Sequence, residues 1–265
     1  MCSDVTIVGW GSATCASAIH RVNEDAALAG PTIFAVADGM GGHTAGARAS
    51  EMVVARLSEV GPPPVSPEEV ERAIASANEA VHLLGAQSPE LTGMGTTLAG
   101  IALVREGVRD LWLVFNCGDS RVYRVHNRVL YQVTHDHSEV QELVDAGRIS
   151  RSDADRHAKR HLLTRAVGPE ASVRVDYQYL VPEIGERFVI CTDGITAVVT
   201  DDEIRRMVTV IGRPDEAARS LVTVAAGAAA QDDISAVVVD TIRTQGDLLS
   251  ADTVVPDLKQ KAGKR

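Results

Sequence analysis

The sequence predicts an α+β fold. Two observations carry that prediction, and a third points to function. Short apolar runs recur along the chain, and most are joined by brief turns, as antiparallel strands are. Longer stretches with apolar residues at helical spacing are grouped between the strands instead of alternating with them. Acidic residues recur where the apolar runs stop.

Val5-Thr-Ile-Val-Gly-Trp reads as a first strand, and residues 11–20, small and polar, read as a loop. The acidic pair Glu24-Asp25 precedes the apolar run Pro31 to Ala37, which has strand character. Asp38 sits where that strand stops. Gly39, Gly41 and Gly42 follow, so the backbone there must turn tightly or let something approach closely. A helix is expected from about Thr44 to Val60, then a rigid break at Gly61-Pro-Pro-Pro. The next helix opens with Ser66 as N-cap, Pro67 at its first position and Glu69 closing a capping box. Val70, Ile74, Ala77, Val81 and Leu84 give it one apolar face. Strands are expected over 96–104, 108–115, 121–126 and 129–133, with Glu106-Gly107 and Asn127-Arg128 as hairpin turns. Residues 138–170 are polar, rich in His, Arg and Asp, and broken by Gly147. Strands return over 172–180 and 187–191. A helix over 214–230 leads to a last strand over 234–242. One domain is thus expected over 1–243, followed by a disordered tail over 244–265.

Composition excludes several classes. The chain has 265 residues, 45% of them hydrophobic and 23% charged, as in ordinary globular proteins. It has neither an apolar run long enough to span a membrane nor a recognisable signal peptide, so a cytoplasmic location is expected. A net charge of −10 argues against nucleic acid as a partner. The four cysteines form no CxxC pair, and reduced thiols are expected, with Cys117 and Cys191 as small buried hydrophobes at strand ends. Nucleophilic cysteine chemistry is not expected.

The acids carry the functional signal. Besides Glu24, Asp25 and Asp38, Asp119 follows the run Leu111 to Phe115, Asp193 follows Phe188 to Cys191, and Asp232-Asp233 precedes Ile234. A single Asp before glycines can be a plain turn former. Several carboxylates brought together repel one another and are costly away from water. Hard divalent cations with oxygen ligands are the natural compensation.

Eight short pieces, in order, resemble the metal-dependent serine/threonine phosphatases of the PP2C family in their bacterial form. They are Arg21-Val-Asn-Glu-Asp, Val36-Ala-Asp-Gly-Met-Gly-Gly-His, Gly93-Met-Gly-Thr-Thr, Gly118-Asp-Ser-Arg, Thr134-His-Asp-His-Ser, Leu163-Thr-Arg-Ala-Val-Gly, Cys191-Thr-Asp-Gly-Ile and Asp232-Asp-Ile-Ser. The resemblance implies a sandwich of two antiparallel sheets with helices outside, and a mobile flap over about 138–170. It implies two Mn²⁺ or Mg²⁺ ions, with a third, weaker one in bacterial members. Asp38 would bridge the two ions, the Gly39 carbonyl would join one, and Asp193 and Asp232 would hold the other. Asp119 with Asp193 would form the third site. Glu24 and Asp25 would orient water from behind. Phosphorylated proteins, the products of a serine/threonine kinase, would be the substrates of a monomeric enzyme. A phosphoprotein-binding pseudophosphatase is the alternative, and a small-molecule phosphatase of the same fold a lesser one.

Three departures from the family pattern matter. Where the family carries a phosphate-gripping arginine four residues before Glu24, this chain has His20, with Arg21 one place later. The position after Asp38-Gly39 is Met40, where many eukaryotic members have histidine. The last motif is Asp232-Asp233 where Asp-Asn is usual. In this family resemblance Asp119 could also pair with Arg121, and Asp136 would order the loop around His137. His43 and His137 are expected to be satisfied by local hydrogen bonds.

Overall fold

The computed structural model describes residues 6–243 apart from His20, Arg21, Asp155 and Ala229, and the side chains of Ile7 and His43 also lie outside the description. The expectation of a disordered tail over 244–265 therefore falls outside the described residues.

Eleven strands and seven α-helices are described. The strands are β1 Ile7–Cys15, β2 Asp25–Ala29, β3 Ile33–Met40, β4 Gly95–Thr96, β5 Leu98–Glu106, β6 Arg109–Cys117, β7 Arg121–His126, β8 Val129–Gln132, β9 Asp176–Leu180, β10 Arg187–Cys191 and β11 Ile234–Arg243. The helices are α1 His43–Ser58, α2 Pro67–Gln87, α3 Glu139–Asp145, α4 Arg151–Ala154, α5 Asp193–Thr196, α6 Asp201–Val210 and α7 Pro214–Gly227. They build two sheets, β1-β11-β10-β7-β8 and β2-β3-β5-β6-β9, in which every neighbouring pair is antiparallel. The short β4 pairs with the end of β3.

Period-two alternation explains why the strands read as continuous apolar runs. On β3, Phe34 and Val36 point between the sheets, where they meet Trp112, Val114, Phe188, Ile190 and Val237. Ile33 and Ala35 point outward, under Leu57, Val70, Ile74 and Val81 of α1 and α2. Val189, Ala236 and Val238 of the other sheet pack outward against Ile204, Val208, Leu221 and Val222 of α6 and α7. Each sheet is covered on both faces, so both sets of alternate residues are apolar. Trp112 is fully buried at the centre, with its ring 6.2 Å from Phe34 and 5.5 Å from Phe188.

The capping box at Ser66 and Glu69 forms as expected, and the apolar face of α2 is buried through Val81. At the β7–β8 hairpin, Asn127 and Arg128 both take positive φ, 51° and 64°, as a two-residue primed turn demands. The expectation for the first loop fails. Residues 11–15 continue β1 instead of forming a loop, because the small residues Gly11, Ala13 and Cys15 lie flat in the ladder with β11, where α7 packs close. A Cβ on Gly11 would come within 2.2 Å of the Asp215 backbone. Helix α6 was legible but unread: Thr200 and Glu203 form a second capping box, with Ile204 and Val208 buried behind it.

A buried polar network locks the sandwich at the far end. The Glu186 carboxylate accepts hydrogen bonds from Trp112 Nε1 (3.0 Å), Arg124 Nε (2.6 Å), the Glu183 backbone N–H (2.9 Å) and the Thr241 hydroxyl (3.1 Å). Glu186→Ala strands the indole N–H, while Arg124 keeps its pair with Glu183 at 2.8 Å. It is expected to cost about 1–3 kcal/mol in urea unfolding, with Glu186→Gln costing less.

Candidate functional site

Asp38 occupies the sixth position of β3. Its backbone N–H donates to Thr97 Oγ1 (3.0 Å), and its carbonyl accepts from the Thr97 N–H and the Thr96 hydroxyl, both at 2.8 Å. Asp25 of β2 stands directly opposite it in the ladder. Asp119 lies in the bend between β6 and β7, and Asp193 opens α5 just past β10. Asp232 and Asp233 precede β11, with Asp232 Oδ1 accepting the Asp233 N–H at 2.9 Å. Five segments thus deliver carboxylates to one rim of the sandwich.

Electrostatics record their proximity. Burial, followed by the negative charges of Asp25, Asp193, Asp119 and Asp232, holds the Asp38 carboxyl well above the usual carboxylate range. Burial comes first again for Asp119, with Asp193 and Asp136 adding to it. Asp193 is raised by burial and by Asp232, while a hydrogen bond with Asp38 and the charge of His161 oppose that rise. Asp25 is raised by burial, which outweighs its bond from Thr192 Oγ1 at 2.8 Å. Asp25 Oδ1 and Asp193 Oδ1 are buried and lack a hydrogen-bond partner. Among the described residues no group of three or more His, Cys, Asp or Glu is drawn close enough together to hold a metal ion as it stands. The ring is open, and its orphaned oxygens suit the lone-pair demand of a hard dication.

Glu24 is buried behind Asp38. Its carbonyl accepts the Gly39 N–H (3.1 Å) and the Ser50 hydroxyl (2.5 Å). The space is so tight that a Cβ on Gly46 would stand 2.2 Å from Glu24 Oε2, and one on Gly39 2.2 Å from the Gly46 carbonyl oxygen. Both glycines are required by this approach of α1 to β3.

Asp233, left without a role by the sequence, turns out to be a staple. Its Oδ1 accepts the Ser17 N–H and its Oδ2 the Glu24 N–H, each at 2.7 Å. The two oxygens of one side chain thereby tie Ser17 to Glu24. His20 and Arg21, the candidate phosphate-gripping residues, lie outside the described residues.

The alternative partner for Asp119 goes elsewhere. Arg121 forms a bidentate pair with Asp136 (Nη2 to Oδ2, 2.7 Å), and its Nη1 donates to Tyr123 OH at 3.0 Å. Asp136 also accepts from Gln132 Nε2 at 2.8 Å, so it anchors the segment around His137 to β7 and β8. His137 is satisfied locally, as expected; the side chain of His43 is outside the description. A cleft of about 660 Å³ extends from Asp119 and Asp193, with Arg151, Arg160 and His161 among the residues of its wall.

One cysteine does have the spacing of a phosphate-binding nucleophile. Cys15 stands six residues before Arg21, the Cys-x5-Arg interval of phosphate-binding loops. The surroundings do not match. Cys15 is the exposed last residue of β1, paired with Ile234, its thiol turned to the Ala16 carbonyl, and among the described residues no helix follows before β2 to present N–H groups to an anion. Cys117 and Cys191 are buried, and burial pushes both thiols up to about 12.

Comparison with known proteins agrees with this architecture. The pattern of the protein phosphatase 2C family matches residues 18–237. The serine/threonine phosphatase stp of Listeria monocytogenes is 36% identical over 221 residues, covering 80% of this chain and 86% of that protein. The crystal structure of the serine/threonine phosphatase PstP/Ppp of Mycobacterium tuberculosis superimposes with a TM-score of 0.82 at 31% identity, over 89% of this chain and 99% of that one. A catalytic domain of PstP in complex with two manganese ions gives a TM-score of 0.79 at 30% identity, over 90% and 100% of the two chains. The fold and the acidic rim define a two-sheet phosphatase of the metal-dependent class. The chain belongs to the protein phosphatase 2C family.

A metal-free pH dependence follows. The Asp38 carboxyl is raised above its ordinary 3.8, so ionising it costs stability in the folded state only. That cost is absent below the unfolded value and grows as pH rises through the window up to the folded value. In EDTA, Asp38→Asn is expected to raise Tm more at about pH 8 than at about pH 5. It should also abolish the upward Tm shift that Mn²⁺ gives the wild type. Thermal melts at both pH values check this.

Proposed function

We infer that this chain hydrolyses phosphoserine and phosphothreonine in proteins, with Mn²⁺ or Mg²⁺ as its cofactor. The observation that carries the reading is the ring of buried carboxylates with orphaned oxygens at Asp25 and Asp193. Positive charge at the rim would relieve both the mutual repulsion and the missing bonds. When bound, the ions supply an activated water and charge against the phosphoryl oxygens.

The chain's own residues hold and orient. Asp38 would serve two ions, assisted by the Gly39 carbonyl, because Thr96 and Thr97 fix its backbone from the neighbouring strand. Asp193 and Asp232 would complete the second position, and Asp119 with Asp193 a third, weaker one. Glu24 and Asp25 stand behind them, Asp25 steadied by the Thr192 hydroxyl, to orient water. The 660 Å³ cleft beside Asp119 would seat the peptide around the phosphorylated residue, with residues 138–170 as its flap. Bound cations reverse the local field, so a net charge of −10 does not repel the phosphate.

The same reading makes the enzyme a monomer acting in the cytoplasm on the products of a serine/threonine kinase. Within the described residues no helix is long and apolar enough to cross a membrane. A pseudophosphatase is disfavoured because no acid of the family pattern is missing.

Hydrolysis of a phosphothreonine peptide tests the inference. EDTA is expected to abolish it and Mn²⁺ to restore it; activity that persists in EDTA would refute the reading. Asp193→Asn is expected to stay folded and to lose more turnover than the roughly 10–100-fold typical of a supporting outer ligand.

The phosphate grip is assigned to His20. His20 stands four residues before Glu24, where the family pattern carries its arginine. Imidazole offers a weaker grip than the planar fork of arginine. His20→Arg is therefore expected to lower KM with little change in kcat. If instead Arg21→Ala raises KM about tenfold, a loss of about 1.4 kcal/mol of binding, while His20→Ala does nothing, Arg21 is the clamp.

A further inference from the structure

His137 touches none of the acids at the rim, yet it holds the residue next to one of them. It is almost fully buried, at 4% exposure. Its backbone N–H donates to the Gly118 carbonyl at 2.9 Å, and its ring Nδ1 accepts the Gly118 N–H at 3.1 Å. The same carbonyl also receives Asn116 Nδ2 at 3.2 Å. Gly118, at a φ of 112°, is thus gripped at both its N–H and its C=O, and Asp119 is the next residue.

The other side of the ring faces away from the rim. Because Nδ1 is an acceptor, the ring proton sits on Nε2, which donates to Asp176 Oδ2 of β9 at 3.0 Å. Arg165 Nη1 donates to Asp176 Oδ1 at 2.8 Å; it also lies 3.1 Å from His137 Nε2, but with the proton on Nε2 that approach is a contact between two donors and Asp176 accepts from both. The His137 carbonyl accepts the Thr164 N–H at 2.9 Å, and Ser138 bridges to Leu163. These partners continue the chain from Arg160 and His161, which line the cleft. Burial keeps the ring on the neutral side of its ordinary range.

We propose that His137 is a positioning residue that couples the 160–165 segment of the cleft wall to Asp119 through its double bond pattern with Gly118. Movement of Thr164 or Arg165 as a peptide seats would be felt at the Asp119 carboxylate. Asp176, on the edge strand, sets the ring tautomer that makes the Gly118 bond available. The proposal rests on the reading of Asp119 as the ligand of the weaker ion.

Two isosteres separate the roles of the two nitrogens. In His137→Asn the amide oxygen replaces Nδ1 and keeps the Gly118 bond. In His137→Gln the amide nitrogen replaces Nε2 and keeps only the Asp176 bond. The first measurement is hydrogen exchange of the Gly118 amide in metal-free protein. It is expected to be fast in His137→Gln and protected in wild type and His137→Asn. The second is Mn²⁺ titration, with free Mn²⁺ read by electron paramagnetic resonance. His137→Gln is expected to weaken the weaker class of ions by about 10-fold or more, the range seen for outer partners of metal ligands, with the tighter class unchanged and His137→Asn close to wild type.

Asp176→Ala provides a variant at a half-exposed site that the fold tolerates. It should weaken the same class, and Asp176→Asn, whose oxygen still accepts the Nε2 proton, should restore it. Unchanged Gly118 exchange in His137→Gln, or equal losses in both isosteres, overturns the proposal. A wild type with no weaker class overturns the reading of Asp119, and the coupling with it. A weaker class that survives both His137→Gln and Asp176→Ala overturns the coupling alone.

Discussion

Like charges gathered where water is scarce are the constraint on which this structure depends. Asp25, Asp38, Asp119 and Asp193 each bear the cost of burial and of one another's field. A flexible surface would relax by letting them swing apart. Here they cannot, because each is fixed by backbone it does not control. Thr96 and Thr97 hold Asp38, Thr192 holds Asp25, and Gly118 holds the approach to Asp119. The repulsion is thereby kept in the folded state, where a cation can relieve it.

The sandwich supplies the stiffness. Strands from both sheets end at the same rim, and both faces of each sheet are packed. A shift of one residue in any strand would turn its core face outward, so register is defended by the whole apolar interior. Ladder pairs such as Asp25 opposite Asp38 inherit that precision. At the opposite end, the Glu186 network closes the sandwich with charges that are all paired. The two ends of one core therefore treat acids in opposite ways.

Much of this was legible in the sequence. Period-two runs, hairpin residues and the Ser66 cap marked the elements, and the recurrence of acids after apolar runs marked the rim. Residues 11–15 were not legible, because glycine and alanine pair in a ladder without the β-branched signature of a strand. Thr200 and Glu203 were legible but passed over. The role of Asp233 could not be read, since its partners are backbone N–H groups some 200 positions away, at Ser17 and Glu24. Backbone donors carry no side-chain signature. The grip of His137 on Gly118 was hidden for the same reason.

The staple at Asp233 has a consequence for how such a protein can change. Its carboxylate joins Ser17 to Glu24 through their backbone N–H groups, which any side chain at those two positions would still offer. Closing a longer segment over the same two anchors is cheap, since each doubling of a flexible loop adds only about 0.6 kcal/mol. The segment is in effect an exchangeable cassette. Its sequence and reach can be rewritten by drift or by design while the acidic rim keeps its spacing. The length of the segment and the geometry of the rim can then change independently.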